Sequence, residues 1–129
     1  MTVDPEVMEK VQSLVTDMLG VERDEVTPET MFSSDLGGDS LDLLDMGFRC
    51  ERAFGAKVRF QDLSAFELEV EEDGALTEPS LEQLQTRFPH VDVSHWRGKR
   101  FNRPLELLSI SDLAAIVQGE IARSHATSA

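Results

Sequence analysis

Residues Ser40 to Phe54, S-L-D-L-L-D-M-G-F-R-C-E-R-A-F, read as a helix that is apolar on two sides. Leu41, Leu44 and Phe48 fall in one row, and Leu43, Met46, Cys50 and Ala53 fall in another. One stripe is enough to seat a helix on a core. A second has to be covered by deep burial in a bundle, by a cavity, or by a docking protein. Gly55 supplies the stop. The helix opens in an aspartate-rich run, D-L-G-G-D-S-L-D-L-L-D over Asp35–Asp45, with Gly37-Gly38 ahead of Asp39-Ser40-Leu41.

Two more helices are well punctuated. Asp4 caps the first, Pro5 takes its first position and Gly20 ends it, with Val7, Val11, Leu14, Val15 and Met18 along one stripe. The last begins near Ser109 or Ser111 and turns Ile110, Leu113, Ile116, Val117 and Ile121 inward. Residues 21 to 39 are loop-like, anchored by Val26, Met31, Phe32 and Leu36. The middle is mixed. Phe66 to Glu71 alternates as a strand does, and Asp73-Gly74 offers a hairpin turn. Ser80 with Gln83 then makes a capping box for a short helix ending before Pro89.

At 129 residues, 40% hydrophobic and 29% charged, the chain suits one globular domain, residues 1–129. Its net charge of −13 argues against nucleic-acid and anionic-membrane partners and points to basic protein surfaces. A lone cysteine, Cys50, rules out an internal disulfide and fits a reducing compartment. No apolar run reaches membrane-spanning length, and the N-terminus lacks the pattern of a signal peptide. The expectation is a soluble cytoplasmic monomer.

Ser40 admits three readings. At a helix N-terminus its hydroxyl lies beside unbonded backbone N–H groups and the positive end of the dipole, which suits an attached phosphate. Asp39 or Ser40 can equally serve as the N-cap. A nucleophilic serine would need a base, and His90, His95 and His125 lie far off in sequence. Gly38-Asp39-Ser40-Leu41 also lacks the glycine-flanked nucleophile elbow. The serine reads as a recipient of chemistry, not its agent.

Leu19-Gly20-Val21, Glu25-Val26-Thr27, Phe32, D-L-G-G-D-S-L-D and Glu51-Arg52-Ala53-Phe54-Gly55 together resemble the acyl carrier proteins, as does Ser109-Ile110-Ser111-Asp112-Leu113 near the end. The resemblance implies an all-α, acyl-carrier-like four-helix bundle with no catalysis of its own. It implies 4′-phosphopantetheine carried covalently on Ser40, flanked by Asp39 and Leu41, and acyl groups held as thioesters on that arm. By the same resemblance Leu41 and Phe48 are apolar partner contacts, and Asp39, Asp42, Asp45 and Glu51 are acidic ones. The implied partners are a phosphopantetheinyl transferase and acyl-transferring, condensing or ligase enzymes with basic docking patches. A peptidyl carrier and an unmodified carrier-like interaction module are the alternatives.

The chain departs from that family in an insertion of about 40 residues within 59–108, long enough to fold and able to include a small β-hairpin. The family's third helix falls at Ser80–Phe88 or around Leu105–Leu108. The basic cluster Arg97, Lys99, Arg100 and Arg103 is expected to clasp the acidic first half. His90, Asp92 and His95 match no tight zinc spacing, so no metal is expected. Arg49 and Arg52 are unusual cations for the second helix and bear on which enzymes dock. The insertion points to a specialised pathway of lipid or secondary-metabolite synthesis.

Overall fold

Four α-helices carry the described residues, 3–60 and 68–127, of this computed structural model. Helix α1 (Pro5–Leu19) starts as its sequence dictates: the Glu6 N–H donates to Asp4 at 2.9 Å, and Pro5 occupies the first position. It stops at Gly20, whose φ of 68° carries the left-handed turn. Helix α2 (Ser40–Phe54) ends the same way at Gly55. Helices α3 (Glu78–Arg87) and α4 (Ile110–Thr127) follow the long connection.

Helix α1 packs against both α2 and α4. Val7, Val11 and Val15 enter the core they share with Leu43, Met46 and Cys50 of α2 and Leu113, Ile116 and Val117 of α4. Each such side chain contributes about 1.5–3 kcal/mol by leaving water. The second apolar row of α2 is thus accounted for. The first row is not covered, as described below.

The stretch from α3 to Trp96 joins that core. Leu81, Leu84, Phe88, Val91, Val93 and Trp96 all lie in the cluster with α1 and α4. Helix α3 occupies the first of the two expected places, while the second, Pro104–Leu107, holds only a 3-10 turn. Its start differs from the expected capping box. Pro79 has to sit in the first turn, so the helix begins at Glu78 with Thr77 as its cap, accepting from the Ser80 N–H. Ser80 is buried instead and stitches α3 to Glu69, accepting from its N–H at 2.8 Å and donating to its carbonyl at 3.1 Å.

The expected hairpin is present in reduced form. Glu71 and Thr77 N–H groups donate to Ala75 and Glu69 carbonyls, and Gly74 turns the chain at a φ of 88°. Among the described residues the pairing amounts to isolated bridges, Val70 with Leu76 and Ala75 with Arg100, and no strand. The Phe66-Glu67 part of the alternating run lies outside the described residues.

Helix α4 opens on a reciprocal cap: Ser109 N–H donates to Asp112 Oδ2 at 3.0 Å, and Asp112 N–H donates to Ser109 Oγ at 3.1 Å. Asp112 is buried, and its carboxylate also accepts from the Trp96 indole at 3.2 Å and lies 3.0 Å from His95 Nε2. The only tryptophan is therefore bonded to the head of the last helix. The segment just before α4 is laced to the loop ahead of α2: Phe32 N–H donates to Leu108 O, and Ile110 N–H to Thr30 O.

The basic cluster does not clasp the first half of the chain. Arg97 makes a two-pronged pair with Glu78, both contacts at 2.8 Å, and Arg103 faces Glu106 at 3.9 Å. Arg97 reaches Glu78 because α3 packs beside the Val93–Trp96 turn that precedes Arg97.

Candidate functional site

The aspartate-rich run folds into a turn and a helix start. Asp39 is the N-cap of α2, accepting from Asp42 N–H at 3.0 Å, while Asp42 Oδ2 accepts from Asp39 N–H at 2.9 Å. This reciprocal box answers which residue caps the helix. Ser40 stands at the first helical position, exposed, and among the described residues none hydrogen-bonds its hydroxyl. It thus stands at the positive end of a fifteen-residue helix.

The approach to Ser40 is built on a buried ring. Phe32 is wholly inaccessible, and Gly38 lies so close to it that a Cβ there would come within 2.3 Å of Phe32 Cε2. Gly38 N–H also donates to the Phe32 carbonyl at 2.9 Å. Gly37 takes a φ of 72°, a conformation that disfavours any side chain. Asp35 is spent inside this loop, accepting from Met31 N–H at 2.7 Å. The two glycines thus let the loop close on Phe32 and leave little between Ser40 and solvent.

Along α2 the uncovered apolar row runs away from Ser40. Leu41 is 73% exposed, Leu44 42% and Phe48 58%, values that make them, with Val70, the exposed large apolar residues of the described chain. Of the acids expected beside them, Asp39, Asp42, Asp45 and Glu51 share the helix with Ser40, but their surroundings differ. Asp45 is faced by Arg49 Nε at 3.3 Å, one turn on. Glu51 lines a shallow groove of about 200 Å³ together with Leu44, Phe48, Lys57 and Arg59. Gly47 lets the 56–60 segment lie this close: a Cβ there would meet the Val58 carbonyl oxygen at 2.6 Å. The i,i+4 spacing of Asp45 and Arg49 was readable in the sequence, whereas the approach of Lys57 and Arg59 to α2 was not.

Cys50 is buried on the core side of α2, and burial pushes its thiol up to about 12, so it is neutral and unreactive at neutral pH. His95 is engaged with Asp112, and among the described residues no histidine is hydrogen-bonded to Ser40. Asp92 caps the Val93–Trp96 turn, and its hydrogen bonds from the Ser94 side chain and backbone hold its carboxyl below the usual range. No group of three His, Cys, Asp or Glu among the described residues is placed to hold a metal, and no helix there is long and apolar enough to cross a membrane.

These features fit a phosphate-linked cofactor: an exposed hydroxyl with no protein partner, first-turn N–H groups beside it, and glycines that keep the approach low. Residues 9–70 match the family model described as the phosphopantetheine attachment site. A 53-residue stretch is 45% identical to the acyl carrier protein of Rubrobacter xylanophilus, covering 41% of this chain and 65% of that protein's length. Over residues 9–70 the chain is thus similar to the phosphopantetheine-attachment domains and to an acyl carrier protein, a family whose cofactor is covalently attached 4′-phosphopantetheine.

Proposed function

We propose that this protein holds acyl intermediates as thioesters on a 4′-phosphopantetheine arm at Ser40 and presents them to partner enzymes, with no catalysis of its own. The observation that carries the reading is the Ser40 hydroxyl, exposed at the first position of α2 and relieved of capping by Asp39. A phosphopantetheinyl transferase joins Ser40 Oγ to the phosphorus of coenzyme A's pantetheine arm. The pyrophosphate P–O bond breaks, 3′,5′-ADP leaves, and the hydroxyl proton passes to the transferase's base. Once attached, the arm supplies a thiol that carries the acyl group.

The chain's own contribution is presentation. Leu41 and Phe48 offer apolar contact, and Asp39, Asp42, Asp45 and Glu51 surround it with carboxylates for basic patches on clients. Charged rims of this kind govern encounter and selectivity and leave the complex short-lived, as a carrier needs. Tethering raises the effective concentration of the acyl group at each enzyme. The insert within 59–108 belongs to the same carrier unit, and with it the protein serves a specialised lipid or secondary-metabolite pathway in the cytoplasm as a monomer.

The test is intact mass after incubation with coenzyme A, magnesium and a broad-specificity transferase. The parent is expected to gain one phosphopantetheine and Ser40→Ala none. A folded parent that gains nothing rejects the carrier role in favour of an unmodified interaction module.

A further inference from the structure

The docking face of α2 has two electrical ends. Beside Ser40, the carboxylates of Asp39 and Asp42 are exposed or half-exposed, and among the described residues no cation is paired with either. One turn on, Arg49 sits at 3.3 Å from Asp45 and offsets it. Beyond Phe48 the sign changes. Arg52 follows Phe48 by four residues on the same row and is exposed. Lys57 and Arg59, both exposed with Val58 buried between them, line the groove together with Phe48. Glu51 is the one carboxylate lining that groove, against Lys57 and Arg59 in the groove and Arg52 next to it. Among the described residues no carboxylate forms an ion pair with Arg52, Lys57 or Arg59.

We infer that the cognate enzymes of this carrier dock a bipolar surface: basic residues over the Asp39–Asp42 end and at least one carboxylate over Arg52, Lys57 and Arg59. This rests on the carrier reading given above and says which enzymes it serves. An enzyme whose docking patch is basic throughout meets the far end of α2 with like charge. Juxtaposed like charges discriminate between partners more sharply than an added attraction does. The apolar row Leu41, Leu44, Phe48 is common ground for either kind of client, so Arg52, Lys57 and Arg59 carry the choice.

The probe is an acyltransferase of general fatty-acid synthesis with a wholly basic docking patch, assayed on the pantetheinylated protein at low and high salt. The triple variant Arg52→Glu, Lys57→Glu, Arg59→Glu is expected to raise kcat/KM about tenfold at low salt, through KM, with the gain shrinking as salt screens it. Single Arg52→Glu, on an exposed helix position, is expected to give part of the gain and guards against misfolding of the triple variant. In the second arm the transferase carries a Lys→Glu or Arg→Glu change at the patch residue facing the end of α2. It is expected to favour the parent over the triple variant by a similar factor. Equal kcat/KM for parent and reversed proteins, or no preference in the second arm, overturns the inference. Failure to gain phosphopantetheine at Ser40 would instead overturn the carrier reading, so the two failures are told apart by mass before any kinetics.

Discussion

Gly38 and Phe32 hold each other in place ahead of Ser40. Because the ring is fully buried, it cannot swing aside for a methyl group. Gly38→Ala is therefore expected to cost about 1–3 kcal/mol by overpacking, read as a lowered urea midpoint with unchanged m. Cys50 makes a second residue-level prediction. Its thiol ionises near 9.0 when unfolded and near 12 when buried, so its contribution to stability is complete below pH 9 and is lost as pH rises toward 12. The loss is up to about 1.4 kcal/mol per pH unit above 9, measurable as a falling urea midpoint that Cys50→Ala does not show at the same slope. Both residues were legible in the sequence as types, a glycine before a helix and a thiol on an apolar row. What the sequence withheld was the neighbour: nothing in D-L-G-G names Phe32 as the ring it closes upon.

Helices α1 and α2 were readable because cap, stripe and stop agreed, with Asp4, Pro5 and Gly20 the clearest set, and α4 was readable from its start and its stripe. Helix α3 was readable as a helix but not to its first residue. Ser80 looks like a cap by type, yet Pro79 fixes the start upstream and leaves Ser80 to bind the Glu69 backbone. The node at the head of α4 was invisible for another reason: Trp96 and Asp112 are sixteen residues apart, and no periodicity links them. Trp96→Phe keeps most of the ring and removes the indole N–H from a buried carboxylate. It is expected to cost about 2 kcal/mol in chemical denaturation, the range for a hydrogen bond to a charged group. Asp112→Asn, which also weakens the Ser109 cap, should be at least as costly. A double variant costing less than the sum of the two would show that they act through one contact.

At the scale of the molecule, the apolar residues from Leu81 to Trp96 and those of α1, α2 and α4 occupy one cluster, so they are expected to melt together. Trp96 makes this simple to check, since it is the sole tryptophan and the chain has no tyrosine. Its fluorescence reports the Val93–Trp96 turn, while far-UV circular dichroism reports mainly the helices. Coincident urea midpoints are expected, and a tryptophan transition well ahead of the helical one would separate insert from bundle. The sequence showed a long connection between α2 and α4, but not that Leu84, Val91 and Trp96 would lie in the same core as Val11 and Leu113. The bond from Trp96 to Asp112 has a practical corollary for anyone transplanting this unit into another protein. A graft trimmed to residues 9–70 would leave α4 behind, and one that spliced out the excess to mimic a shorter relative would strand a buried carboxylate without its indole. The piece to move intact runs from the cap at Asp4 through the whole of α4, with the stretch between α2 and α4 kept.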